Sequence, residues 1–341
     1  MRAGDTVTVR VPAKLNLQLA VGPPRADGYH DLVTVFHAVS LFDEITARPS
    51  ERDGVSVSGE GADRVPDDGD NLALRAVAAL RAAAAPGAPG TPADAGGVHI
   101  TIAKRIPVAA GLAGGSADAA AALVACNELW GTGLDQPRLL EIAARVGSDV
   151  AFAVLGGTAV GRGRGERLTP ALAPATSYHW VLAFADGHLS TPAVYAALDR
   201  LRAAGAGGPA AESDGSTVKH GATARQGSAA KRGSAEPVLD AALMSALRSG
   251  DARQLGRALS NDLQPAALSL FPALRKTLAA GLELGALGAL VSGSGPTCLF
   301  LAASADRALD LAASLSGAGV CRSVARATGP VPGAAVVPAA R

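Results

Sequence analysis

Residues 107–117 read P-V-A-A-G-L-A-G-G-S-A. They stand between an alternating segment, Val98–Ile106 (VHITIAKRI), and an alanine-rich run from about Ser116 to Leu129. Alternation at period 2 predicts a strand, and the run after the glycines predicts a helix. Glycines at a strand-to-helix passage let the backbone turn tightly and approach a ligand closely. The helix start behind them exposes unpaired N–H groups at the positive end of its dipole, a natural seat for phosphate. Ser116, at the predicted N-cap, can reach a phosphate or its metal. A plain flexible turn would use the same residues, so the loop alone leaves both readings open.

Known phosphate motifs narrow the choice. A P-loop needs Gly-Lys-Ser/Thr, but Gly115 is followed directly by Ser116. The dinucleotide fingerprint GxGxxG is unmatched, and the protein-kinase signatures are missing. Neither Ser116 nor Ser294 sits in a G-x-S-x-G elbow, which argues against a serine hydrolase. A lysine from elsewhere must supply positive charge. Only 5 of the 31 basic residues are lysines, and Lys14 and Lys104 are the candidates near strands.

Outward from the loop, the chain reads as alternating strand and helix. Strands are predicted over Thr6–Val11 and Leu15–Ala20, with Pro12 and Lys14 at a turn or bulge between them. More strands follow over Val33–Ala47 and Val55–Ser58, then a helix over Asn71–Ala85 capped by Asp70 or Asn71. Pro86–Gly97 is a linker, and Gln136–Val146 is a helix. Beyond a boundary near 165–177, strands are predicted at His179–Ala185, Ala289–Ser292, Thr297–Ala302 and 319–327. Helices are predicted at Thr191–Ala203, 238–248, 251–260, 270–284 and 305–315. Residues 203–236 lack any apolar period and read as a mobile, disordered insertion, and residues 329–341 as a disordered tail.

The 341 residues are enough for two domains, and 48% hydrophobic against 18% charged residues excludes a disordered or fibrous chain. Aromatic residues make up only 3%, so the core must be mostly Ala, Val and Leu. A net charge of +1 gives no global field toward nucleic acid or anionic lipid. The 4 basic and 3 acidic side chains of 203–236 are too mixed for a polyanion-binding arm. Three cysteines far apart support neither a disulfide framework nor a zinc ribbon. With no signal-peptide core and no apolar run near ~20 residues, the expectation is a soluble, cytoplasmic protein.

Two further residues stand out. Lys14, in V-P-A-K-L-N-L-Q-L, lies at a strand break among apolar residues, where a snorkelling surface lysine is the ordinary alternative. Asp149, in V-G-S-D-V-A-F, precedes an apolar run, where a turn or N-cap aspartate is the ordinary alternative. Taken with D-G-Y-H-D-L, G-L-A-G-G-S-A-D-A-A and S-G-S-G-P-T, these segments resemble the GHMP kinase superfamily in order and spacing. The resemblance covers the chain except 203–236 and the tail.

The resemblance implies an α+β fold of two domains, 1–170 binding ATP and 171–328 of ferredoxin-like type, with the active site in the cleft between them. It implies an ATP-dependent small-molecule kinase with Mg²⁺ arriving on ATP, its metal ligands not assigned. P-A-K-L-N-L with D-G-Y-H-x-L looks like the branch that phosphorylates a cytidyl diphosphate sugar alcohol in the non-mevalonate isoprenoid route. Carried over by position, Lys14 and Asp149 match the catalytic pair. Pro107, Val108, Ala109, Ala110, Gly111, Leu112, Ala113, Gly114, Gly115, Ser116 and Ala117 match the ATP phosphate loop. Asn16, Tyr29 and His30 match the substrate-side segment, and Tyr195 an aromatic that stacks on cytosine; a core aromatic is the equal alternative for Tyr195. Ser292–Pro296 matches a third motif near the phosphate loop. Ala109 and Ala113 stand where such loops usually carry glycine, so a positive φ at either would be strained.

Overall fold

The two strands expected around Pro12 and Lys14 are one. In the computed structural model, which describes residues 6–83, 96–172, 176–206 and 236–338, β1 runs unbroken over Val7–Pro24. It pairs antiparallel with β2 (His30–Ser50), and the register shifts between Pro12 and Ala13 and again between Asn16 and Gln18. Pro12 therefore lies at a bulge and Lys14 in the short paired stretch between two of them; bulges re-aim side chains without ending the strand. Asp27-Gly28 closes the hairpin, with Gly28 at φ +79° and the Arg25 N–H donating to the Tyr29 carbonyl at 2.7 Å.

Strand β2 organises the first sheet. β3 (Gly54–Gly59) leads through α1 (Leu72–Ala83) to β4 (Gly97–Lys104), which lies parallel to β3 and antiparallel to the second half of β2. The Asn71 side chain accepts the Ala73 N–H at 2.9 Å at the start of α1. Helix α2 (Gly114–Trp130) begins two residues before the expected Ser116. Alanines at 117, 119–122 and 125 are all buried, so α2 is enclosed on every side, and its small side chains let α1, α3 (Gln136–Val146) and α4 (Ser148–Leu155) crowd against it. This is how a chain so poor in aromatics fills its core. Strands β5 (Thr158–Gly163) and β6 (Arg167–Pro170), not anticipated from the sequence, extend the sheet from the first half of β2.

The second unit opens with β7 (Tyr178–Phe184) and α5 (Thr191–Ala206). It continues through α6 (Ala241–Ser249), α7 (Ala252–Ala258), β8 (Ser260–Asn261), α8 (Gln264–Leu270) and α9 (Leu274–Glu283). It ends with β9 (Gly288–Val291), β10 (Cys298–Ala302), α10 (Ala305–Gly317) and β11 (Ser323–Gly329). The sheet order β11-β7-β10-β9, antiparallel throughout, is the β-α-β-β-α-β arrangement of ferredoxin-like domains. The helix expected over 270–284 is α9, which starts only at Leu274, while α8 before it was not anticipated; Pro272 has no N–H to continue α8 and separates the two.

Two expectations about the organisation need correction. The tail is ordered through residue 338: β12 (Ala335–Val336) pairs with Val9 and Arg10 of β1, and the Ala334 N–H donates to the Ala153 carbonyl at 2.8 Å. Gly156 and Gly333 lie so close that neither has room for a Cβ. Pro/Gly-rich sequence hid this because backbone hydrogen bonds, not apolar side chains, hold the segment. The first sheet is also not built by 1–170 alone, since β8 pairs parallel with Gln18 and Leu19 of β1. The insertion at 203–236 and the linker Pro86–Gly97 fall mostly outside the described residues.

Candidate active site

The glycine-rich loop ends where α2 begins, and its shape depends on left-handed backbone. Ala109 (φ 54°), Gly111 (φ 76°) and Ala113 (φ 58°) all have positive φ. Gly111 needs its bare Cα, since a Cβ would collide with the Ser292 carbonyl. Ser292 Oγ in turn donates to the Gly111 carbonyl at 3.0 Å, so the S-G-S-G-P segment braces the loop from the second unit. Ala113 is the N-cap of α2 and offers no side-chain acceptor. The first N–H groups of the helix are thus left for a ligand, as anion binding at a helix start requires.

This loop forms one wall of a cleft of about 590 Å³ between the two units. Beside it, β1 carries Lys14, whose backbone N–H donates to the Leu112 carbonyl at 3.3 Å and which is 9% exposed. Its Nζ donates to Asn16 Oδ1 at 2.7 Å and stands 4.0 Å from Asp149 Oδ2. Asn16 is itself held, its Nδ2 donating to Thr34 Oγ1 at 2.8 Å. Asp149 lies in the first turn of α4, its side chain 35% exposed to the cleft. The arrangement supplies a cation, a carboxylate and a row of N–H groups facing one enclosed space.

Lys14, Asn16, Asp149 and Tyr195, with Ala109–Gly111 and Ala113–Ser116, all line this cleft. Leu112 and Ala117 are instead buried, and Pro107 and Val108 face a separate recess of about 280 Å³ beside Arg64 and Arg322. Tyr195 backs onto the hydrophobic core around Val194, Leu263 and Phe300, and burial, with Asp149 nearby, pushes its phenol up to about 12. His30 is buried behind it, Nε2 3.0 Å from Asp199 Oδ1 and its ring 5.0 Å from that of Tyr195. Tyr29 is 56% exposed, with the Arg164 guanidinium 5.4 Å over its ring.

Lys104, weighed as a phosphate ligand from sequence, is not one. Its ammonium is buried beneath the loop on Asp43 and Asp118. The sequence reading also passed over Arg164 and Thr191, both lining the cleft. Thr191 Oγ1 is 2.9 Å from Ser294 Oγ, linking α5 to the S-G-S-G-P segment. The only signal for Arg164 was its place in the turn G-R-G-R-G-E between β5 and β6.

Comparison with known proteins agrees with this geometry. Residues 71–157 match the model for the GHMP kinases N-terminal domain, and residues 243–321 that for the GHMP kinases C-terminal domain. The chain is 54% identical to a 4-diphosphocytidyl-2-C-methyl-D-erythritol kinase of Thermobifida fusca, over 99% of this chain and 100% of the relative. It is 52% identical to the kinase of the same name from Mycobacterium tuberculosis, over 98% and 94%. A crystal structure of a 4-(cytidine 5'-diphospho)-2C-methyl-D-erythritol kinase superimposes with TM-score 0.68 at 33% identity, covering 94% of this chain and 98% of the other. A homoserine kinase from Cytophaga hutchinsonii, 20% identical with TM-score 0.66 and 99% of each chain covered, shares the fold.

Proposed function

The chain belongs to the GHMP kinase family, and from that premise we infer that it transfers the γ-phosphoryl group of ATP to the 2-hydroxyl of 4-diphosphocytidyl-2-C-methyl-D-erythritol. The reaction belongs to the non-mevalonate route to isopentenyl diphosphate. What carries the reading is that a chain so similar to kinases of that name also brings Lys14 and Asp149 together in the cleft that the loop lines.

Phosphoryl transfer passes through a loose transition state, so catalysis is mostly positioning and charge stabilisation. Asp149 accepts the proton of the attacking hydroxyl and directs its oxygen. Lys14, steadied by Asn16, offsets charge on the group in flight. The N–H groups of Gly114, Gly115 and Ser116 receive the ATP phosphates. Tyr195 offers a ring face to the cytosine, with Tyr29 and His30 on the same side.

Among the described residues, no group of three His, Cys, Asp or Glu side chains is placed to cage a metal. The donors near the loop are the Ser116 hydroxyl and the phosphates ATP brings. That set fits Mg²⁺ entering with the nucleotide and keeping water ligands. Ser116 would hold it, and the ion would neutralise phosphate charge. Both partners are small molecules, and no helix among the described residues is long and apolar enough to cross a membrane. We place the reaction in the cytoplasm, where ATP is supplied.

The test is ATP turnover by purified protein with and without 4-diphosphocytidyl-2-C-methyl-D-erythritol, beside a panel of other alcohols. Turnover dependent on that alcohol, with phosphorus NMR placing the new phosphate on O2, is expected. Faster turnover of a different alcohol would overturn the substrate assignment.

A further inference from the structure

Beneath the phosphate loop lie three ionisable side chains that the reaction does not touch. Lys104 Nζ donates to Asp43 Oδ2 at 2.5 Å and to Asp118 Oδ2 at 2.8 Å, and each of the three side chains is 3% exposed or less. Each comes from an element that frames the loop. Lys104 is the last residue of β4, Asp118 lies in the second turn of α2, and Asp43 stands beside them on β2. Asp43 Oδ1 accepts the N–H groups of Arg105 at 2.5 Å and Ile106 at 2.8 Å, the two residues that lead from β4 into the loop. At the other stem, a Cβ on Gly114 would stand 3.0 Å from the Lys104 ammonium, so the charge sits directly under the start of α2. Asp43 ties the incoming stem, Asp118 the outgoing one, and Lys104 joins the two.

Burying three ionisable groups is costly, and an apolar trio of similar volume commonly packs with equal or better stability. What such a cluster can add is a fixed register. We propose that Lys104, Asp43 and Asp118 are positioning residues for ATP, a buried fastener that holds the two stems of the phosphate loop at the spacing the nucleotide phosphates require. This assignment rests on the ATP-dependent function inferred above.

The charge balance gives the fastener a readout of its own. One cation faces two carboxylates, and Asp118 Oδ1 has no hydrogen-bond partner. Burial pushes the Asp118 carboxyl up to about 8; Lys104 opposes the shift and Asp43 adds to it. Lys104 from β4 and Asp43 from β2 are the charged groups that face it. Despite its burial, Lys104 is held above its ordinary value by Asp118 and Asp43, so it stays charged. Asp118 therefore holds its proton to a higher pH than an ordinary carboxyl, and with that proton on the trio is neutral. Toward pH 9 the proton leaves to solvent, and a net negative charge remains buried under the phosphate seat.

The experiment is ATP affinity by calorimetry on the full chain at pH 7 and pH 9, with KM for the alcohol measured alongside. Wild type should lose several-fold in ATP affinity between the two pH values. Asp118→Asn, which keeps a neutral hydrogen-bonding group and has no proton to lose, should bind ATP equally at both. Lys104→Met should weaken ATP binding at least tenfold while moving KM for the alcohol less than threefold. A pH dependence equal in wild type and Asp118→Asn would overturn the proposal, as would a folded Lys104→Met with unchanged ATP affinity. If Lys104→Met does not fold, the comparison of wild type with Asp118→Asn decides. ATP binding that follows this pattern in a protein that ignores the alcohol would overturn the substrate assignment and support the fastener. Absence of ATP binding in wild type would overturn both.

Discussion

Lys14 and Asp149 stand 4.0 Å apart, Nζ to Oδ2, whereas Lys14 and Asn16 lie at 2.7 Å. The ammonium is anchored to a neutral amide and only faces the carboxylate. Its remaining donors can turn to a phosphoryl oxygen without first breaking a tight ion pair. The half-buried carboxylate is likewise free to accept a hydroxyl proton.

That geometry makes the pair a unit. Asp149→Asn and Lys14→Ala should each lower kcat by at least roughly 10²-fold, the lower range for general acid–base groups. The double variant should be little worse than the weaker single one, because groups acting on one step are strongly non-additive. Steady-state kcat for all four proteins, with ATP affinity measured separately and little changed, checks this. Cleanly multiplying losses would mean that the two residues work independently.

Tyr195 packs one edge on the core around Val194 and lines the cleft with the rest. Stacking on a base is worth ~1–3 kcal/mol by alanine substitution. Tyr195→Ala should raise KM for the cytidyl substrate several-fold or more and leave KM for ATP nearly unchanged. Tyr195→Phe should keep near-normal KM. Equal weakening toward both substrates, or a large fall in Tm, would assign the ring to the core alone.

Ala109 and Ala113 hold φ of 54° and 58° without β-branching but with a Cβ that this region disfavours. Left-handed backbone costs a non-glycine residue about 1–2 kcal/mol, offset in part by the ~0.5–1 kcal/mol of freedom that glycine loses on folding. Ala113→Gly should therefore raise stability by up to about 1 kcal/mol, read as a higher midpoint in urea. Unchanged or lower stability would show that the alanine methyls gain more from packing than they lose in strain.

His37 is fully buried, its Nδ1 2.8 Å from Thr158 Oγ1 and its ring beside Tyr178 and Trp180. Burial pushes its pKa down to about 3, from the ordinary 6.5. Between those values the unfolded chain binds a proton that the folded one refuses, so stability falls as pH drops from 6.5 toward 3. The slope approaches ~1.4 kcal/mol per pH unit. Urea unfolding at pH 7 and pH 5 should show the loss in wild type and a shallower one in His37→Gln.

Much of the site was legible because its residues sit in short local patterns. Glycines before an alanine run announce a tight turn into a helix start, the kind of place a phosphate can bind, and Asp27-Gly28 announces a hairpin. Lys14 was legible only by company, since a lone lysine in a strand has no visible partner until the fold brings it to α4. Lys104 was misread for the same reason: its two carboxylates lie 61 and 14 residues away, and nothing local shows that they neutralise it. Arg164 was missed because β5 and β6 are short strands around glycines, with weak alternation to mark them. The ends of α8 and α9 were in reach, since Pro272 marks the break.

Strand β1 has β2 along one flank, while its other flank is covered by β12 near Val9 and by β8 near Leu19. Those two covers are among the later parts of the chain to be made. While the ribosome is still extending the second unit, the nascent first sheet carries an open row of backbone donors and acceptors beside Val9 and Leu19. An open strand edge is a template for pairing with other chains. The edge at Leu19 closes once residues 260–261 emerge, and the edge at Val9 only with residues 335–336. A chain clipped before residue 335 would thus leave the β1 edge at Val9 unpaired, a site for aggregation rather than a defect of the cleft.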